Sequence, residues 1–309
     1  MKKLDFSLTI ASNALLCPNP EEFYSKAYLS GEDLNFFKVI PGIKNSTKVS
    51  STTFPSVLQA LDCTFAASAS NLSATTVTVC PLKANVSVCK TDLESSFLVN
   101  QMRAGETNYD VQSYMNFYWE QLQKEIGSEL AVIRWQGDTA GTGSSFTGNN
   151  AYKTLCDGLE KKMAANASVV DVALSAVTID NVIALLTAVL QAAPAAVKAR
   201  EAGSVFYVSS TVATAYRIAA ALGNTQAFIT GEMPLSFAGY QMVEAQGMTD
   251  GNIVFTRPDN LVYAFDGSEE GSIEAIDQLK TVGIPNILTV VLLAVGYEIL
   301  NPSEIVWMS

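Results

Sequence analysis

Histidine is absent from this sequence of 309 residues. Its absence removes the commonest general base, the commonest zinc ligand, and every Ser–His or Cys–His nucleophile system. Charged residues are also scarce, at 16%, against about a quarter in typical soluble domains. A monomer with so few charges covers its surface poorly, so the composition favours a chain that buries large areas against other copies.

The balance of the remaining charges is acidic. The formal net charge is −11 and the sequence pI is about 4.5. This argues against direct, salt-dependent binding to phosphate backbones, although an acidic wall can enclose nucleic acid without binding it. The length exceeds the size at which one hydrophobic core usually stops growing, so two sub-domains are expected.

Cysteine is present but lacks the CxxC spacing of metal and redox motifs. The five cysteines are Cys17, Cys63, Cys80, Cys89 and Cys156. We interpret them as buried, reduced thiols that behave as small hydrophobes. Synthesis in a reducing cytoplasm follows from this interpretation.

The chain also lacks the pattern of a membrane signal. Residues 6–17 follow two lysines, but polar residues interrupt the apolar core that a secretory leader needs. Residues 287–295 are intensely apolar, yet Pro285 and Glu298 bound them well short of a bilayer crossing. We predict no export and no membrane contact, and we interpret the apolar run as a buried strand or a core helix.

The clearest helical pattern starts at Asn108 or Asp110. Its apolar residues recur with a period near 3.6 as far as Ile133, and the Trp-Gln-Gly-Asp segment at 135–138 ends it. Shorter helices are predicted from Pro20 to Gly31, over 151–165, from Thr178 to Pro194 and over 211–222.

The region from residue 36 to about residue 99 is β-branched and rich in serine and threonine. Alternation is clear over 75–89 and predicts strands of a long hairpin with polar faces. Such a hairpin is not stable alone and needs a surface to lie on. Further strands are predicted at 205–208 and 240–248, in a hairpin over 252–266 that closes around Arg257-Pro-Asp-Asn260, and near the C-terminus. Helices and strands mix without regular βαβ repetition, which predicts the α+β class.

Few residues have a pattern suited to chemistry. The Gly141-Thr-Gly143 segment lacks the Lys-Ser/Thr ending of a phosphate-binding loop. Glu269 with Glu270, or Asp250 with Asp259, could serve as acid and base or hold a divalent ion. They lie in turns and linkers, where solvated carboxylates are ordinary. We therefore predict no enzyme activity, no cofactor and no metal site.

The order of the elements resembles that of the major capsid proteins of tailed bacteriophages, of the Hong Kong 97 type and particularly those infecting Bacteroidetes-type hosts. The same fold occurs in encapsulin nanocompartments. The segments that carry the resemblance are Val39-Ile-Pro-Gly-Ile-Lys44, Cys89-Lys-Thr-Asp-Leu-Glu94, the helix that ends at 135–138, the helix from Thr178, the strand 205–208 with Ser209-Ser210, residues 239–266, Gly296-Tyr-Glu-Ile-Leu-Asn-Pro302 and Ile305-Val-Trp307.

The resemblance implies four structural parts. They are an N-terminal arm with a short helix (1–35), an extended loop formed by a long β-hairpin (36–99), a peripheral domain with a long spine helix (100–165 and 267–298) and an axial domain (166–266 and 299–309). Because the arm begins close to Met1, the resemblance also implies a separate scaffold protein or an earlier cleavage.

The implied function is a major capsid protein whose hexamers and pentamers form an icosahedral shell around phage double-stranded DNA. The implied partners are other copies of the chain, with scaffold, portal and decoration proteins, and the implied location is the virion after assembly in the host cytoplasm. An encapsulin-like shell around a cargo enzyme is the alternative. A secreted surface-layer or adhesin subunit is a third hypothesis, which the missing signal and reduced cysteines disfavour.

Four residues are candidate subunit contacts: Lys44, Lys48, Arg257 and Asp259. Some proteins of this family link their loops by a Lys–Asn isopeptide bond. Lys44 and Lys48 lie near the start of the extended loop, but no spacing in this sequence identifies an asparagine partner. Loop lysines that contact an acidic neighbour are the simpler interpretation.

Overall fold

The computed structural model describes residues 17, 19–53, 58, 71–89, 111–199, 202–223, 235–266, 273–278 and 283–309. The α-helices are α1 Pro20–Tyr28, α2 Val111–Gln136, α3 Leu159–Ala164, α4 Val182–Ala192, α5 Ala195–Lys198 and α6 Ser210–Gly223. The 3-10 helices are Glu32–Phe36, Ser144–Phe146, Gly148–Thr154 and Pro302–Glu304. The strands are β1 Lys38–Pro41, β2 Ser46–Thr53, β3 Asn71–Thr78, β4 Cys80–Cys89, β5 Val170–Val172, β6 Val205–Val208, β7 Ser236–Phe237, β8 Tyr240–Glu244, β9 Ile253–Thr256, β10 Leu261–Phe265, β11 Ile273–Asp277, β12 Asn286–Ile299 and β13 Val306–Met308. This mixture confirms the α+β class.

Contacts within the chain divide it into two compact units. The first unit contains Met1–Ser30, Pro81–Leu130 and Asp266–Ala294. The second contains Gly31–Cys80, Ala131–Phe265 and Val295–Ser309. The four-part division implied by the resemblance, with its arm, loop, peripheral and axial parts, remains a prediction.

The first unit contains residues 286–294 of strand β12, and the rest of that strand belongs to the second unit. The apolar run of β12 forms a strand, not a helix, and β11 pairs with it in antiparallel register from Ile273↔Val291 to Asp277↔Ile287. Strand β4 also pairs with β12. In the same unit the ring of Phe23 in α1 meets the ring of Trp119 in α2 edge-on, with centroids 5.8 Å apart. Aromatic packing of this kind holds the two helices together.

The second unit contains a six-stranded sheet with strand order β5-β13-β9-β6-β8-β7. Every residue of β6 and of β9 is buried. Helices α4 and α6 pack on the sheet, and α4 contributes Val182, Leu186 and Val189 to its hydrophobic core. Both strands read as continuous apolar runs in the sequence because both of their faces are covered.

The predicted hairpin over 252–266 is wrong. Strand β9 pairs with β6 and β13, whereas β10 pairs with β1 and β12 in another sheet. The Arg257–Asn260 turn therefore leads from one sheet to the other. Both strands are buried along nearly their whole length, so their pattern carries no alternation that could identify the pairing partner.

The alternating segment 75–89 also divides between two sheets. Strand β3 pairs with β2 in a two-stranded antiparallel sheet, from Ser46↔Thr78 to Thr53↔Asn71. Strand β4, which begins just before Pro81, pairs with β12. The prediction of hairpin strands is confirmed for β3, but β4 is not part of that ribbon.

Two predicted helix boundaries are wrong, and local hydrogen bonds give the reason. The helix predicted over 151–165 is a 3-10 helix followed by the short helix α3, because the N–H of Gly158 donates to the carbonyl of Gly137, 2.8 Å away. The helix predicted from Thr178 begins at Val182. The N–H of Thr178 instead donates to the side-chain oxygen of Asn181, at 2.8 Å. The predictions of α2, β6 and α6 are confirmed.

The expectation of five reduced thiols is wrong for two of them. Cys80 and Cys156 form a disulfide with their Cα atoms 5.8 Å apart. The pairing spans 76 residues of sequence, and no spacing rule reveals a partner at that distance. Cys17 is a free, half-buried thiol whose pKa is raised by burial. Cys63 lies outside the described residues.

Within the described part of the chain, no helix combines the length and the apolar character needed to cross a membrane.

Candidate functional site

The two-stranded ribbon of β2 and β3 has two different faces. Eight residue pairs join its strands, so its paired part is about 27 Å long. On one face Val49 and Val77 are buried. On the other face every side chain described is exposed: Ser46, Lys48, Ser50, Ala74, Thr76 and Thr78. A two-stranded ribbon is marginal by itself, and its exposed face is suited to contact with another surface.

The base of the ribbon lies against β12. A Cβ atom at Gly296 would come within 2.3 Å of the carbonyl oxygen of Thr78, so only glycine allows this approach. The N–H of Val79 donates to the carbonyl of Asn45, at 2.9 Å, beyond the last strand pair. The disulfide at Cys80 follows directly. The ribbon is therefore fixed at its base within the second unit.

Lys44 lies just before β2, at the base of this ribbon, and Lys48 lies on its exposed face. Both side chains are exposed. Neither makes an ion pair or a side-chain hydrogen bond with another described residue. Two cations in this state are accessible to an acidic partner surface.

Arg257 and Asp259 lie together on the turn between β9 and β10, and both are exposed. Arg257 forms an ion pair with Glu304, with 3.3 Å between Nη1 and Oε1. Asp259 has a φ of 63°, in the left-handed region that aspartate tolerates, and its N–H donates to the carbonyl of Phe36. Among the described residues, no hydrogen bond or ion pair joins this turn to Lys44 or Lys48.

Asn260, in the same turn, was missed as a key residue by sequence reasoning. Its side chain is buried; the amide nitrogen donates to Thr256 Oγ1 at 2.8 Å and to the Asn301 carbonyl at 3.1 Å. Its amide oxygen accepts from the N–H of Asn301 at 2.7 Å. The Asn260 carbonyl also accepts from the N–H of Leu300. The sequence signal for this role was an asparagine in a turn between two apolar strands. Buried backbone N–H and C=O groups in such a turn need hydrogen-bond partners, and an asparagine side chain can supply them.

A second missed feature is a fully buried ion pair. Arg134 Nη1 lies 2.6 Å from Asp33 Oδ1, and both side chains have no exposed surface. The indole nitrogen of Trp135 donates to the same carboxylate at 3.0 Å. The guanidinium carbon lies 5.6 Å from the ring centre of Tyr263. Burial alone would lower the pKa of Arg134. The charge and hydrogen bond of Asp33, together with the nearby Tyr297 and Tyr263, outweigh burial, so the net pKa is raised. The pair has no solvent access, so it cannot act on a substrate, and loss of either partner would leave an unpaired buried charge.

One depression on the described surface has a volume of about 410 Å³. Its lining residues are Val177, Thr178, Ile179, Ser210, Thr211, Thr214, Ala215 and Ile218. This lining contains hydroxyl and aliphatic groups but no carboxylate, amine or thiol. It therefore offers no general acid or base.

Of the two carboxylate pairs considered for acid–base chemistry, the structure describes one, Asp250 with Asp259, and places its members beyond opposite ends of strand β9. Asp250 accepts a hydrogen bond from Thr211 Oγ1 at 2.9 Å, and Asp259 lies on the exposed turn. Glu269 and Glu270 lie outside the described residues. Among the residues described, no group of three or more metal-binding side chains could hold an ion.

Comparisons with known proteins place this geometry in a structural class. No protein-family model and no curated protein matches the chain. Several solved structures do match it. A chain of the satellite phage P4 procapsid including size determination (Sid) protein has a TM-score of 0.61 at 11% identity, over 94% of this chain and 98% of that one.

Two further solved structures are similar over most of their length. A chain from the capsid of an empty GTA particle has a TM-score of 0.55 at 16% identity, over 92% of this chain and 89% of that one. A virus-like particle from Pyrococcus furiosus has a TM-score of 0.51 at 14% identity, over 93% and 96%. This chain therefore has the fold of phage capsid chains and of a virus-like particle, which confirms the coarse fold expected from the resemblance.

Proposed function

We propose that this chain is the major capsid protein of a tailed bacteriophage of the Hong Kong 97 type. Its copies form hexamers and pentamers of an icosahedral shell that encloses double-stranded DNA, and it does no catalysis itself. The observation that carries the proposal is the likeness to a phage procapsid chain over nearly the full length of both chains.

The ribbon supports the same proposal from the chain's own residues. Its exposed face carries polar side chains and Lys48, and it lacks a covering element among the described residues. In the assembled shell this face lies on a neighbouring copy. The net charge of −11 means that neighbouring surfaces are acidic on average, which favours contacts with Lys44 and Lys48. Arg257 and Asp259 form a second, smaller contact.

An encapsulin-like shell that encloses a cargo enzyme is the second candidate. The observation that favours it is the likeness to the Pyrococcus furiosus virus-like particle. Both candidates require self-assembly, and they differ in the content of the particle. Scaffold, portal and decoration proteins are expected partners, with assembly in the host cytoplasm, only for the phage capsid.

The assembly proposal is tested by size-exclusion chromatography and negative-stain electron microscopy of the purified protein, alone and with the proteins produced from neighbouring genes. We expect particles of virus size, or capsomers that convert to them. A monomer that persists at high concentration in both samples contradicts the shell. Double-stranded DNA in native particles identifies a capsid, and a co-purifying enzyme identifies a compartment.

A shortened ribbon tests the mode of contact. Residues 51–73 are removed and Ser50 is joined to Ala74 through an Asn-Gly turn, because these two residues are paired across the strands. The deletion keeps the buried Val49 and Val77 and the disulfide at Cys80. We expect a subunit with a cooperative unfolding transition that forms no particles.

The matched control is Lys48→Glu, which keeps the full ribbon and reverses one charge on its exposed face. We expect an unchanged unfolding midpoint and weaker assembly that added salt partly restores, because salt screens the new repulsion between the glutamate at position 48 and an acidic neighbour. If the shortened chain fails to fold while Lys48→Glu folds, the ribbon belongs to the core of the subunit and the proposed contact is wrong.

A further inference from the structure

The disulfide joins the base of the ribbon to a different part of the second unit. Cys80 comes two residues after the end of β3 and is half-buried. The buried residue Val79 and the close approach of Thr78 to Gly296 lie immediately before it. A covalent bond at Cys80 therefore acts on the ribbon where its second strand ends.

Cys156 is held in place by contacts that do not involve the disulfide. Its side chain is buried, with 3% exposed. On its C-terminal side the N–H of Gly158 donates to the carbonyl of Gly137 at 2.8 Å. Asp157 accepts from the N–H of Thr139 at 2.8 Å and from Lys161 Nζ at 2.7 Å. These bonds fix the backbone around Cys156, so its thiol stays next to Cys80 whether or not the two sulfurs are joined.

The Cα distance of 5.8 Å lies within the roughly 4.4–6.8 Å that disulfides require. A phage capsid protein is made in a cytoplasm, where thiols are kept reduced, and the released particle meets an oxidising medium. We propose that the Cys80–Cys156 bond is a redox-set staple, open during synthesis and assembly and closed after release, which then fixes the base of the ribbon. The timing rests on the proposed shell function, whereas the bond itself does not.

The oxidant is a small disulfide of the glutathione class. The half-buried Cys80 is the accessible sulfur, so its thiolate attacks the small disulfide, forms a mixed disulfide and releases one small thiolate. The Cys156 thiolate then attacks Cys80 Sγ, forms the internal bond and releases the second small thiolate. The two protein thiols lose two electrons and two protons, and the small disulfide gains them as two thiols.

A closed staple changes stability in a measurable way. The bond links residues 76 positions apart, and a cross-link over a loop of this size removes much of the freedom of the unfolded chain. For a chain of this length we expect the oxidised protein to melt about 10 °C above the reduced protein. The ribbon should also become more resistant to protease at its base.

The test uses the full-length protein produced in a reducing cytoplasm. The cells are lysed in the presence of a thiol-blocking reagent. We expect both thiols to be blocked in this sample, as shown by peptide mass mapping. A second sample, lysed without the reagent and treated with oxidised glutathione, should yield the Cys80–Cys156 cross-linked peptide and the higher melting temperature. Addition of a reductant should reverse both changes.

The matched variants are Cys156→Ser, which removes the staple, and Cys17→Ser, which removes another half-buried thiol. Cys156→Ser should abolish the melting difference, and Cys17→Ser should retain it. Reduction of the wild-type protein gives the same comparison if a variant fails to fold. The proposal is overturned if the bond is already formed in the blocked lysate, if mapping finds another pair, or if the two redox forms melt together. These measurements do not require particles, so their failure is distinct from a failure to assemble.

Discussion

The six-stranded sheet and the two-stranded ribbon belong to the same compact unit, yet they are stabilised in opposite ways. Strands β6 and β9 of the sheet have no exposed residue, and the ring of Phe206 stacks on that of Phe255 with centroids 4.2 Å apart. The ribbon has buried valines only on its inner face, and its outer face is exposed. The sheet is stable through burial within the chain, whereas the six described side chains on the outer face of the ribbon are exposed.

This difference explains how one composition serves two purposes. Hydrophobic residues make up 49% of the chain, and the sheet uses them in continuous runs that bury both faces. The ribbon uses serine and threonine, which favour extended backbone without a large apolar area. If the ribbon is the proposed contact, the subunit should fold before it assembles, because the described part of the ribbon contributes few residues to the hydrophobic core.

The largest expected loss in the free energy of unfolding comes from a substitution in the sheet. Phe206→Ala removes a ring that is fully buried and also meets Tyr240 edge-on, with centroids 6.2 Å apart. Truncation of a buried phenylalanine costs about 3–5 kcal/mol. We expect a loss of that size in the free energy of unfolding, measured by urea denaturation.

The matched change on the ribbon is Lys48→Gln, which alters an exposed side chain of similar length. We expect a change within about 0.5 kcal/mol, as for most surface substitutions. Equal losses for Phe206→Ala and Lys48→Gln would show that the ribbon shares the core of the subunit, and the contrast between the two regions would fail.

An intermediate effect is expected at the turn that leaves the sheet. Asn260→Ala removes both donors and the acceptor of a buried amide and leaves the N–H of Asn301 and Thr256 Oγ1 without this partner. Loss of a buried hydrogen-bond partner costs about 1–3 kcal/mol. The free energy of unfolding should fall by about 2 kcal/mol.

The control on the same turn is Arg257→Ala. Its ion pair with Glu304 is exposed, and exposed pairs contribute about 0–1 kcal/mol. A smaller loss for Arg257→Ala than for Asn260→Ala would assign the stability of the turn to the buried amide. The reverse order would contradict the structure at this point.

Parts of this structure could be predicted because their signals are local. The 3.6-residue period of α2 and the uninterrupted apolar run of β6 depend on the residues of one element, and both are confirmed. The pairing of strands depends on residues far apart in sequence. A buried strand such as β9 has no alternation, so the sequence predicts the strand but not its neighbours.

The pairing of buried polar groups could not be predicted from the sequence for a related reason. Asp33 and Arg134 are charged residues, and such residues are almost always exposed unless they are paired. Their pairing joins positions 101 residues apart, and no local pattern reports it. The same holds for Cys80 with Cys156. The exposed contacts Lys44, Lys48, Arg257 and Asp259 remain predictions because only a second copy of the chain can test them.

The smallest expected effect is a pH dependence of the free energy of unfolding that involves helix α3 and not the ribbon. Glu160, at the start of α3, accepts hydrogen bonds from the N–H of Thr249 at 2.8 Å and from its hydroxyl at 2.6 Å. Burial raises the pKa of Glu160 above its ordinary value of 4.5, although the bonds from Thr249 oppose that rise. As pH increases above that value, the unfolded chain loses this proton before the folded chain does.

In that pH window the folded state holds more protons, so this carboxyl lowers the free energy of unfolding as pH rises. Glutamine at position 160 cannot titrate. Between pH 4.5 and pH 7 we therefore expect the free energy of unfolding of Glu160→Gln to fall less, or rise more, than that of the wild type. Urea denaturation at several pH values measures the slope, and the exposed Glu274→Gln controls for the loss of one negative charge. If Glu274→Gln changes the slope as much as Glu160→Gln does, the effect comes from the net charge of −11 and not from the half-buried carboxyl of Glu160. The response to pH would then belong to the whole chain, and it would no longer separate Glu160 from the exposed ribbon.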